Sequence, residues 1–178
     1  MTNFSQYNLN ELLTKSLKNI NFKIPTPIQE KSIPLILQGN DILGSAQTGT
    51  GKTAAFAIPI IQFIHETESE NKGRPQIRSL IVTPTRELAI QIDENIQQYG
   101  KYTNIKHTVI FGGVKQGQQV EKLKRGVHIL VATPGRLLDL INQGFIRLNT
   151  VKIFVLDEAD RMLDMGFIND INKLIKLL

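Results

Sequence analysis

Residues 46–53 read AQTGTGKT, which contains the glycines, lysine and threonine of a phosphate-binding loop. The usual pattern is G-x-x-x-x-G-K-[ST], placed between a strand and a helix. In this chain Ala46 stands at the first glycine position, and Gly51, Lys52 and Thr53 match the pattern. Gly49 and Gly51 allow the backbone to turn so that several N–H groups face one anion. The alternative interpretation is a Gly/Thr-rich turn that simply precedes a helix.

The segment after this stretch has a helical pattern, and its N-terminus would add partial positive charge for an anion. Lys52 can reach the β- and γ-phosphates of a nucleotide, and the Thr53 hydroxyl can ligate Mg²⁺. We therefore predict that the whole stretch contacts a nucleotide. The predicted contact residues are Ala46, Gln47, Thr48, Gly49, Thr50, Gly51, Lys52 and Thr53.

Short apolar runs alternate with helical patterns along the rest of the chain. Asn10 is a candidate N-cap for a first helix, since apolar residues recur at helical spacing after it. Alternation of this kind predicts an α/β fold, a mostly parallel sheet with helices on both faces. The predicted strands are 41–44, 79–83, 107–111, 128–132 and 151–156, and the later helices are 52–65, 86–100, 115–125, 135–143 and 160 onward.

A pair of acids follows the last predicted strand directly. Asp157 and Glu158 begin the sequence Asp-Glu-Ala-Asp after a β-branched run, which places carboxylates at the carboxyl end of a sheet strand. Open α/β sheets bind ligands at that edge. We expect Asp157 to hold the metal and Glu158 to act as general base toward an attacking water. The alternative is a solvated acidic loop.

Bulk composition narrows the class of protein. The chain has 178 residues, 41% of them hydrophobic, which suits one globular domain with a full core. A net charge of +5 is compatible with nucleic-acid binding but does not indicate it. Cysteine is absent, so disulfide partners and zinc–thiolate sites are excluded. Without a signal peptide or a membrane-length apolar run, we expect a cytoplasmic protein with no membrane contact.

Several further motifs accompany the phosphate loop and the acidic segment along the chain. Phe22 precedes Pro-Thr-Pro-Ile-Gln at 25–29, with Phe4 upstream; Pro-Thr-Arg-Glu-Leu-Ala occupies 84–89, a glycine pair occupies 112–113, and Thr-Pro-Gly-Arg occupies 133–136. Together with the phosphate loop and the Asp-Glu-Ala-Asp segment, this set resembles the DEAD-box RNA helicase family. Residues 156–167, LDEADRMLDMGF, resemble the bacterial RhlE branch of that family.

The resemblance implies a RecA-like P-loop domain that uses ATP and Mg²⁺. Phe22 is then expected to stack on the base, although it can also be a core aromatic, and Phe4 is expected to pack in support of the motif. Thr26 is either a ligand contact or a helix cap. The Gln29 amide can donate to and accept from the N6/N7 edge of adenine. Asp160 is included among the nucleotide-site residues, and Lys52, Asp157 and Glu158 are the expected catalytic residues.

RNA is the implied macromolecular partner, gripped mainly through its sugar-phosphate backbone. Glycines permit close approach of phosphates, while hydroxyls, amides and guanidinium groups supply donors. Each motif also has a structural alternative: Pro-Gly is commonly a turn, Thr-Pro commonly starts a helix, and Arg86 can pair with an acid inside the domain. The expected RNA contacts are Pro84, Thr85, Arg86, Gly112, Gly113, Thr133, Pro134, Gly135 and Arg136.

The chain departs from the family pattern in two places. Asn21 stands where the family usually has glycine, and asparagine tolerates a left-handed conformation. The family's Ser-Ala-Thr segment, its motif III, is missing after Asp160. We therefore expect residues 1–30 to form a Q-motif region and residues 31–178 an ATP-binding first domain, truncated before motif III. A second RecA-like domain is expected beyond Leu178. A stand-alone nucleotide-dependent RNA-binding module and a small phosphotransferase are the alternatives.

Overall fold

The computed structural model describes residues 3–47, 49–68 and 73–178, so the predicted contact at Thr48 lies outside the described residues. The chain divides into two compact units. The first takes residues 1–71 and 94–105, and the second takes residues 72–93 and 106–178. This division leaves the predicted boundary between residues 30 and 31 untested. Among the described residues, no helix combines the length and apolar character that a bilayer crossing requires.

The first unit is helical. After a 3₁₀ helix (Phe4–Tyr7), its helices are α1 (Glu11–Asn19), α2 (Pro27–Leu37), α3 (Lys52–Glu68) and the last part of α4 (Arg86–Tyr99). The side chain of Asn10 accepts a hydrogen bond from the Leu13 N–H, which confirms the predicted N-cap of α1. Proline occupies the first position of α2, where its missing N–H costs no helical hydrogen bond. Both α1 and α2 pack on α3, whose apolar residues are almost all buried.

The second unit is built on a four-stranded sheet flanked by helices. Its strands are β1 (Ser79–Val82), β2 (His107–Ile110), β3 (Ile129–Ala132) and β4 (Ile153–Leu156), all parallel, in the order β2-β3-β1-β4. Its helices are the first part of α4, then α5 (Gly117–Arg125), α6 (Pro134–Asn142), α7 (Ala159–Asp164) and α8 (Ile168–Ile175). The all-parallel sheet with flanking helices confirms the predicted α/β class.

Burial explains which strands lie in the middle of the sheet. Every residue of β1 and β3 is buried, as expected for continuous apolar runs in a parallel sheet. The outer strands are less buried: β2 alternates between buried and half-buried residues, and β4 is half-buried throughout. One face of the sheet, including Leu80 and Leu130, packs against buried residues of α5, α6, α7 and α8.

The predicted strand at 41–44 is wrong. The structure has no regular secondary structure there, and Ile42 and Leu43 are exposed. A strand is defined by its ladder of hydrogen bonds to a neighbour, and the four-stranded sheet pairs this segment with none of its strands. An apolar run without a pairing partner stays irregular. The remaining four predicted strands are confirmed to within a residue or two at each end.

The predicted helix from residue 160 onward is two helices instead of one. α7 ends at Asp164, and α8 begins at Ile168. Gly166 between them has φ +84°, a left-handed conformation that interrupts an α-helix and favours glycine. The other predicted helices match the observed ones, although α3 continues to Glu68 and α5 starts two residues later than predicted.

Candidate functional site

The phosphate-loop stretch has the backbone that its glycines predict. Gly49 and Gly51 have φ of +83° and +89°, and α3 begins at Lys52 immediately after them. The Lys52 ammonium donates to the Ala46 carbonyl at 2.7 Å, so the lysine arches back over the loop. Thr53 lies half-buried in the first turn of α3. The loop therefore presents the N-terminus of a seventeen-residue helix, a lysine and a threonine hydroxyl together.

Gln29 is packed directly against this loop. Its Nε2 donates to the Gly51 carbonyl at 3.1 Å, and its Oε1 accepts from the Thr26 N–H at 3.0 Å. A Cβ built on Gly51 would lie 2.3 Å from Gln29 Nε2, so a side chain at position 51 would have to displace the Gln29 amide, and φ also favours glycine there. Thr26 is the N-cap of α2. Gln29 is 1% exposed, and its amide keeps one N–H and one lone pair that these two bonds do not use.

The predicted base-stacking residue lies in an aromatic cluster of the same unit. The ring centroid of Phe22 is 5.6 Å from that of Phe4 and 5.6 Å from that of Tyr99. Phe4 is buried, which agrees with its predicted supporting role. Phe22 itself is only half-buried, so part of its ring faces solvent. Asn21 has φ +57°, the left-handed conformation that the family's usual glycine would adopt easily.

In the second unit, four motif segments meet at one edge of the sheet. Because all four strands are parallel, their carboxyl ends lie on the same side. Pro84 follows β1, Phe111 and Gly112 follow β2, Thr133 follows β3, and Asp157 follows β4. Ligands of open parallel sheets bind at this edge. The topology thus brings together segments that are up to 73 residues apart in the sequence, from 84 to 157.

The acidic segment begins where β4 ends. The Asp157 N–H donates to the Val82 carbonyl at 2.9 Å, which holds the residue against β1. Glu158 has φ +55° and ψ +46°, a left-handed conformation that is uncommon for a residue other than glycine. Strain of this kind concentrates at functional sites. Asp160 is exposed on α7, and its carboxylate accepts from the Arg161 N–H at 2.9 Å.

A pocket of about 440 Å³ lies at the same edge. Six of the nine predicted RNA contacts line it, together with three residues that the sequence analysis did not single out. The predicted residues are Pro84, Arg86, Gly112, Thr133, Gly135 and Arg136, and the additional ones are Phe111, Asp139 and Phe167. The guanidinium of Arg86 lies 5.4 Å from the centroid of the Phe111 ring, so this arginine stacks on an aromatic neighbour. The pocket therefore offers hydrogen-bond donors from arginine side chains, backbone left uncovered by glycines, and the faces of aromatic rings.

Side chains of α6 fix one wall of the pocket. Arg136 donates through Nη2 to the Val114 carbonyl at 3.0 Å and lies 3.7 Å, through Nε, from Asp139 Oδ2. Gln143 donates to Asp139 Oδ1 at 2.8 Å and exchanges hydrogen bonds with the Gln116 amide. These contacts tie the segment after the glycine pair to α6. Arg136 is thus largely buried, and its contacts with Val114 and Asp139 stabilise the wall of the pocket that it also lines.

Three of the predicted RNA contacts do not line the pocket. The Thr85 hydroxyl accepts from the Leu88 N–H at 3.3 Å and caps the start of α4. Pro134 is buried as the first residue of α6, and Gly113 has φ +78° beside Gly112. Phe111, Asp139 and Phe167 had no motif to mark them. Phe111 and Asp139 could have been found because each lies within a few residues of a motif, but Phe167 reaches the pocket only through the fold.

The described residues hold no group of three or more histidine, aspartate or glutamate side chains that could form a metal centre of their own. His107 pairs through Nδ1 with Asp93 at 2.7 Å, and His128 Nδ1 accepts from the Lys106 N–H at 3.0 Å. A nucleotide-bound Mg²⁺ does not need such a centre, because phosphates and water supply most of its ligands.

Comparison with known proteins gives one family. A model of the DEAD/DEAH box helicase family matches residues 26–178. The ATP-dependent RNA helicase CshA of Limosilactobacillus reuteri is 47% identical over 173 residues, a match that covers 97% of this chain and 34% of the relative. The DEAD-box ATP-dependent RNA helicase CshA of Bacillus subtilis is 46% identical over 172 residues, with 97% and 34% covered.

The ATP-dependent RNA helicase CshA of Listeria monocytogenes is 46% identical over 176 residues, with 99% of this chain and 33% of the relative covered. The chain thus spans about a third of the length of the curated relatives that it matches. These relatives carry the name CshA, so the expected placement in the RhlE branch is not supported. The family match extends over far more than half of the chain and agrees with the parallel sheet and the motif order, and the chain therefore belongs to the DEAD/DEAH box helicase family.

Proposed function

We propose that this chain acts as the ATP-binding first RecA-like domain of an ATP-dependent RNA helicase. One observation carries the proposal: the acids Asp157 and Glu158 and six predicted RNA contacts extend from the carboxyl ends of one parallel sheet. A nucleic-acid strand in the pocket therefore lies along the same sheet edge as the hydrolytic acids. Such an arrangement suits an enzyme in which nucleotide hydrolysis and strand binding influence each other.

The phosphate loop is the proposed ATP site. The turn at Gly49 and Gly51 and the N-terminus of α3 fit a polyanion, since a turn of this kind and a helix start direct backbone N–H groups toward one region. Lys52 exchanges its bond to the Ala46 carbonyl for bonds to the phosphates. Phe22 stacks on the base with the exposed part of its ring. Gln29 offers its unused N–H and lone pair to adenine once the α2 segment admits the base edge.

Mg²⁺ is the proposed metal, with the Thr53 hydroxyl and the Asp157 carboxylate as its protein ligands. Both are hard oxygen donors, which is the chemistry this ion prefers. When bound, the ion neutralises charge on the phosphates. Glu158 accepts the proton of the attacking water, and its left-handed backbone conformation is of the kind that concentrates at functional sites. Asp160 contributes at the nucleotide site through a hydrogen bond or water.

RNA is the proposed partner of the pocket. Arg86 is exposed and supplies a charged donor for phosphate, while Gly112 and Gly135 leave space for close approach because an added Cβ at either position meets nothing within 4 Å. Thr85, Gly113, Thr133 and Pro134 contribute around the rim or through the backbone. Contacts of this type go to sugar and phosphate, so binding depends little on base sequence and strongly on salt.

Unwinding is proposed to need a second RecA-like domain beyond Leu178. That domain would supply an arginine finger to the developing charge on the γ-phosphate, a contribution worth about 10³–10⁵ in rate. A stand-alone RNA-binding module without turnover is the alternative, and a reading frame that continues past Leu178 would decide between them. The RhlE placement rests on residues 156–167 alone, so the proposal is made at the level of the family. Cytoplasmic location stays a prediction.

Salt-dependent RNA binding tests the proposal. Arg86→Ala removes a charge from the pocket, whereas Lys152→Ala removes one immediately before β4, at the opposite edge of the parallel sheet. We expect Arg86→Ala to weaken binding of an oligouridylate about tenfold and to reduce the slope of log K against log salt by about 0.7. Lys152→Ala is expected to leave both unchanged. Equal effects of the two substitutions, measured by fluorescence anisotropy, would show that the pocket is not the RNA site.

A further inference from the structure

Thr83 carries a buried hydroxyl that the roles assigned so far do not use. The residue directly follows β1 and is 0% exposed, and among the residues that the structure describes its Oγ1 has no hydrogen-bond partner. Burying a hydroxyl without a partner is unfavourable, so most such groups in native proteins are hydrogen-bonded. An exception at the edge of a parallel sheet where ligands bind therefore points to a role in binding.

The strand register places Thr83 between Thr133 and Asp157. β1 pairs with β3 on one side and with β4 on the other, and both ladders run one residue past the strands. The Thr83 N–H donates to the Ala132 carbonyl at 3.1 Å, and the Asp157 N–H donates to the Val82 carbonyl at 2.9 Å. Thr83 therefore has a threonine of the RNA pocket as one neighbour and the expected metal ligand as the other.

All three side chains belong to the same face of the sheet. Side chains alternate between the two faces along an extended strand. The residues immediately before these three pack in the core on the face that α5 to α8 cover; they are Val82, Ala132 and Leu156. Thr83, Thr133 and Asp157 therefore lie on the opposite face. Neighbouring strands are about 4.8 Å apart, a distance that a threonine hydroxyl and a carboxylate can span with one hydrogen bond.

We propose that Thr83 is a positioning residue whose hydroxyl donates a hydrogen bond to the Asp157 carboxylate when that carboxylate holds Mg²⁺. This inference rests on the proposed function, in which Asp157 is a ligand of the ion. Carboxylates that hold a metal are themselves hydrogen-bonded by groups that fix their orientation. Of the two neighbours the carboxylate is the stronger acceptor, because a hydrogen bond to a charged oxygen is about twice as strong as one between neutral groups. Thr133 stays available to the pocket that it lines.

A second buried threonine provides a matched control. Thr108 is 1% exposed, and its hydroxyl also has no partner within the described part of the chain. It is the second residue of β2, away from the carboxyl edge, and its register partner on β3 is Leu130. Valine at either position replaces the hydroxyl by a methyl of similar size. Because an unsatisfied hydroxyl is removed in both cases, we expect Thr83→Val and Thr108→Val to be at least as stable to urea as the parent.

The Mg²⁺ dependence of nucleotide binding separates the two positions. Calorimetry on the 178-residue chain measures the Kd of a non-hydrolysable ATP analogue in EDTA and in Mg²⁺, and the ratio of the two constants is the gain from the ion. We expect Thr83→Val to lower this gain about 10-fold, the lower end of what loss of a hydrogen bond to a metal ligand costs. Thr108→Val should keep the full gain, and Thr83→Ser, which restores a hydroxyl, should recover most of it.

Asp157→Asn distinguishes this inference from the proposed function. If Asp157→Asn lowers the gain and Thr83→Val does not, Asp157 holds the ion and the Thr83 hydroxyl does not position it. An equal loss in Thr83→Val and Thr108→Val, or a Thr83→Ser variant as impaired as Thr83→Val, would also overturn the inference. If Asp157→Asn shows the same gain as the parent, the proposed metal site fails, and this inference fails with it.

Discussion

Replacing Gly51 by alanine tests the contact between the phosphate loop and Gln29, and Gly49 provides a matched control. Both glycines have φ between +80° and +90°. Alanine in that conformation costs about 1–2 kcal/mol, so backbone strain affects the two variants alike. Their surroundings differ. A Cβ at position 49 meets nothing within 4 Å, whereas a Cβ at position 51 lies 2.3 Å from Gln29 Nε2.

The added methyl of Gly51→Ala must displace the Gln29 amide. That movement breaks its bond to the Gly51 carbonyl and its bond to the Thr26 N–H, at 3.1 and 3.0 Å. Because Gln29 is 1% exposed, water cannot replace these partners without opening the site. Leaving a buried amide unsatisfied costs about 1–3 kcal/mol. We therefore expect Gly51→Ala to be less stable than Gly49→Ala by about that amount.

Urea unfolding followed by circular dichroism measures the difference, with an unchanged m-value as the condition for comparing midpoints. The Gln29→Ala background provides the decisive control, since the amide that collides with the new methyl is absent there. In that background most of the additional penalty for Gly51→Ala should disappear, and only the approach of the new methyl to Thr26 Oγ1, at 3.2 Å, remains. Equal destabilisation in the parent background, or an additional penalty for Gly51→Ala that Gln29→Ala leaves undiminished, would refute the proposed contact.

Four other outcomes are expected. Lys52→Ala should lose most affinity for Mg-ATP in calorimetry, because a charged contact to the phosphates is removed, with a small change in unfolding midpoint, because Lys52 is only half-buried; unchanged affinity would disprove the loop assignment. ADP should displace a labelled ATP analogue better than GDP by about 5- to 150-fold, as one bidentate amide pair allows, and Gln29→Ala should abolish that preference. In a chain completed with a second domain, Glu158→Gln should bind ATP and RNA but hydrolyse about 10²–10⁴-fold more slowly; near-normal turnover would place the base elsewhere. Burial raises the pKa of Tyr99 above its usual value of 10.0, so the unfolded chain ionises first and stability should fall as pH rises beyond about 10; Tyr99→Phe should lessen that fall, and an unchanged pH profile would exclude this tyrosine as its source.

The sequence predicts the sheet well where burial leaves a clear signal. The runs around Leu80 and Leu130 are continuously apolar because both faces of their strands are covered, and they were predicted correctly. The run at 41–44 carries a similar signal but has no strand beside it. Which strands pair with each other is decided by the whole fold, so it cannot be read from the hydrophobic periodicity of one segment. The break at Gly166 depends on one positive φ inside an otherwise helical pattern.

The residues of the candidate site were likewise predicted only in part. The resemblance to the helicase family predicted Arg86, Gly112 and Gly135, and the parallel strands place them together at one pocket. Phe111 and Phe167 reach the same pocket because of strand register and the turn after α7, which no local pattern reports. The bond between Gln29 and the Gly51 carbonyl spans 22 residues of sequence, so it became visible only in the structure.

The strand order β2-β3-β1-β4 has a consequence for synthesis on the ribosome. β1 and β2 are made first, yet neither pairs with the other; both find a neighbour in β3, which comes later in the chain. No part of the sheet can form until residues 129–132 have emerged, so β1, whose residues are all buried in the folded sheet, must wait unpaired until then, as must β2. Loop-closure entropy makes such distant pairings slow. β3 is thus the strand whose arrival starts assembly, and the nascent chain before it is the form most exposed to aggregation or chaperone capture.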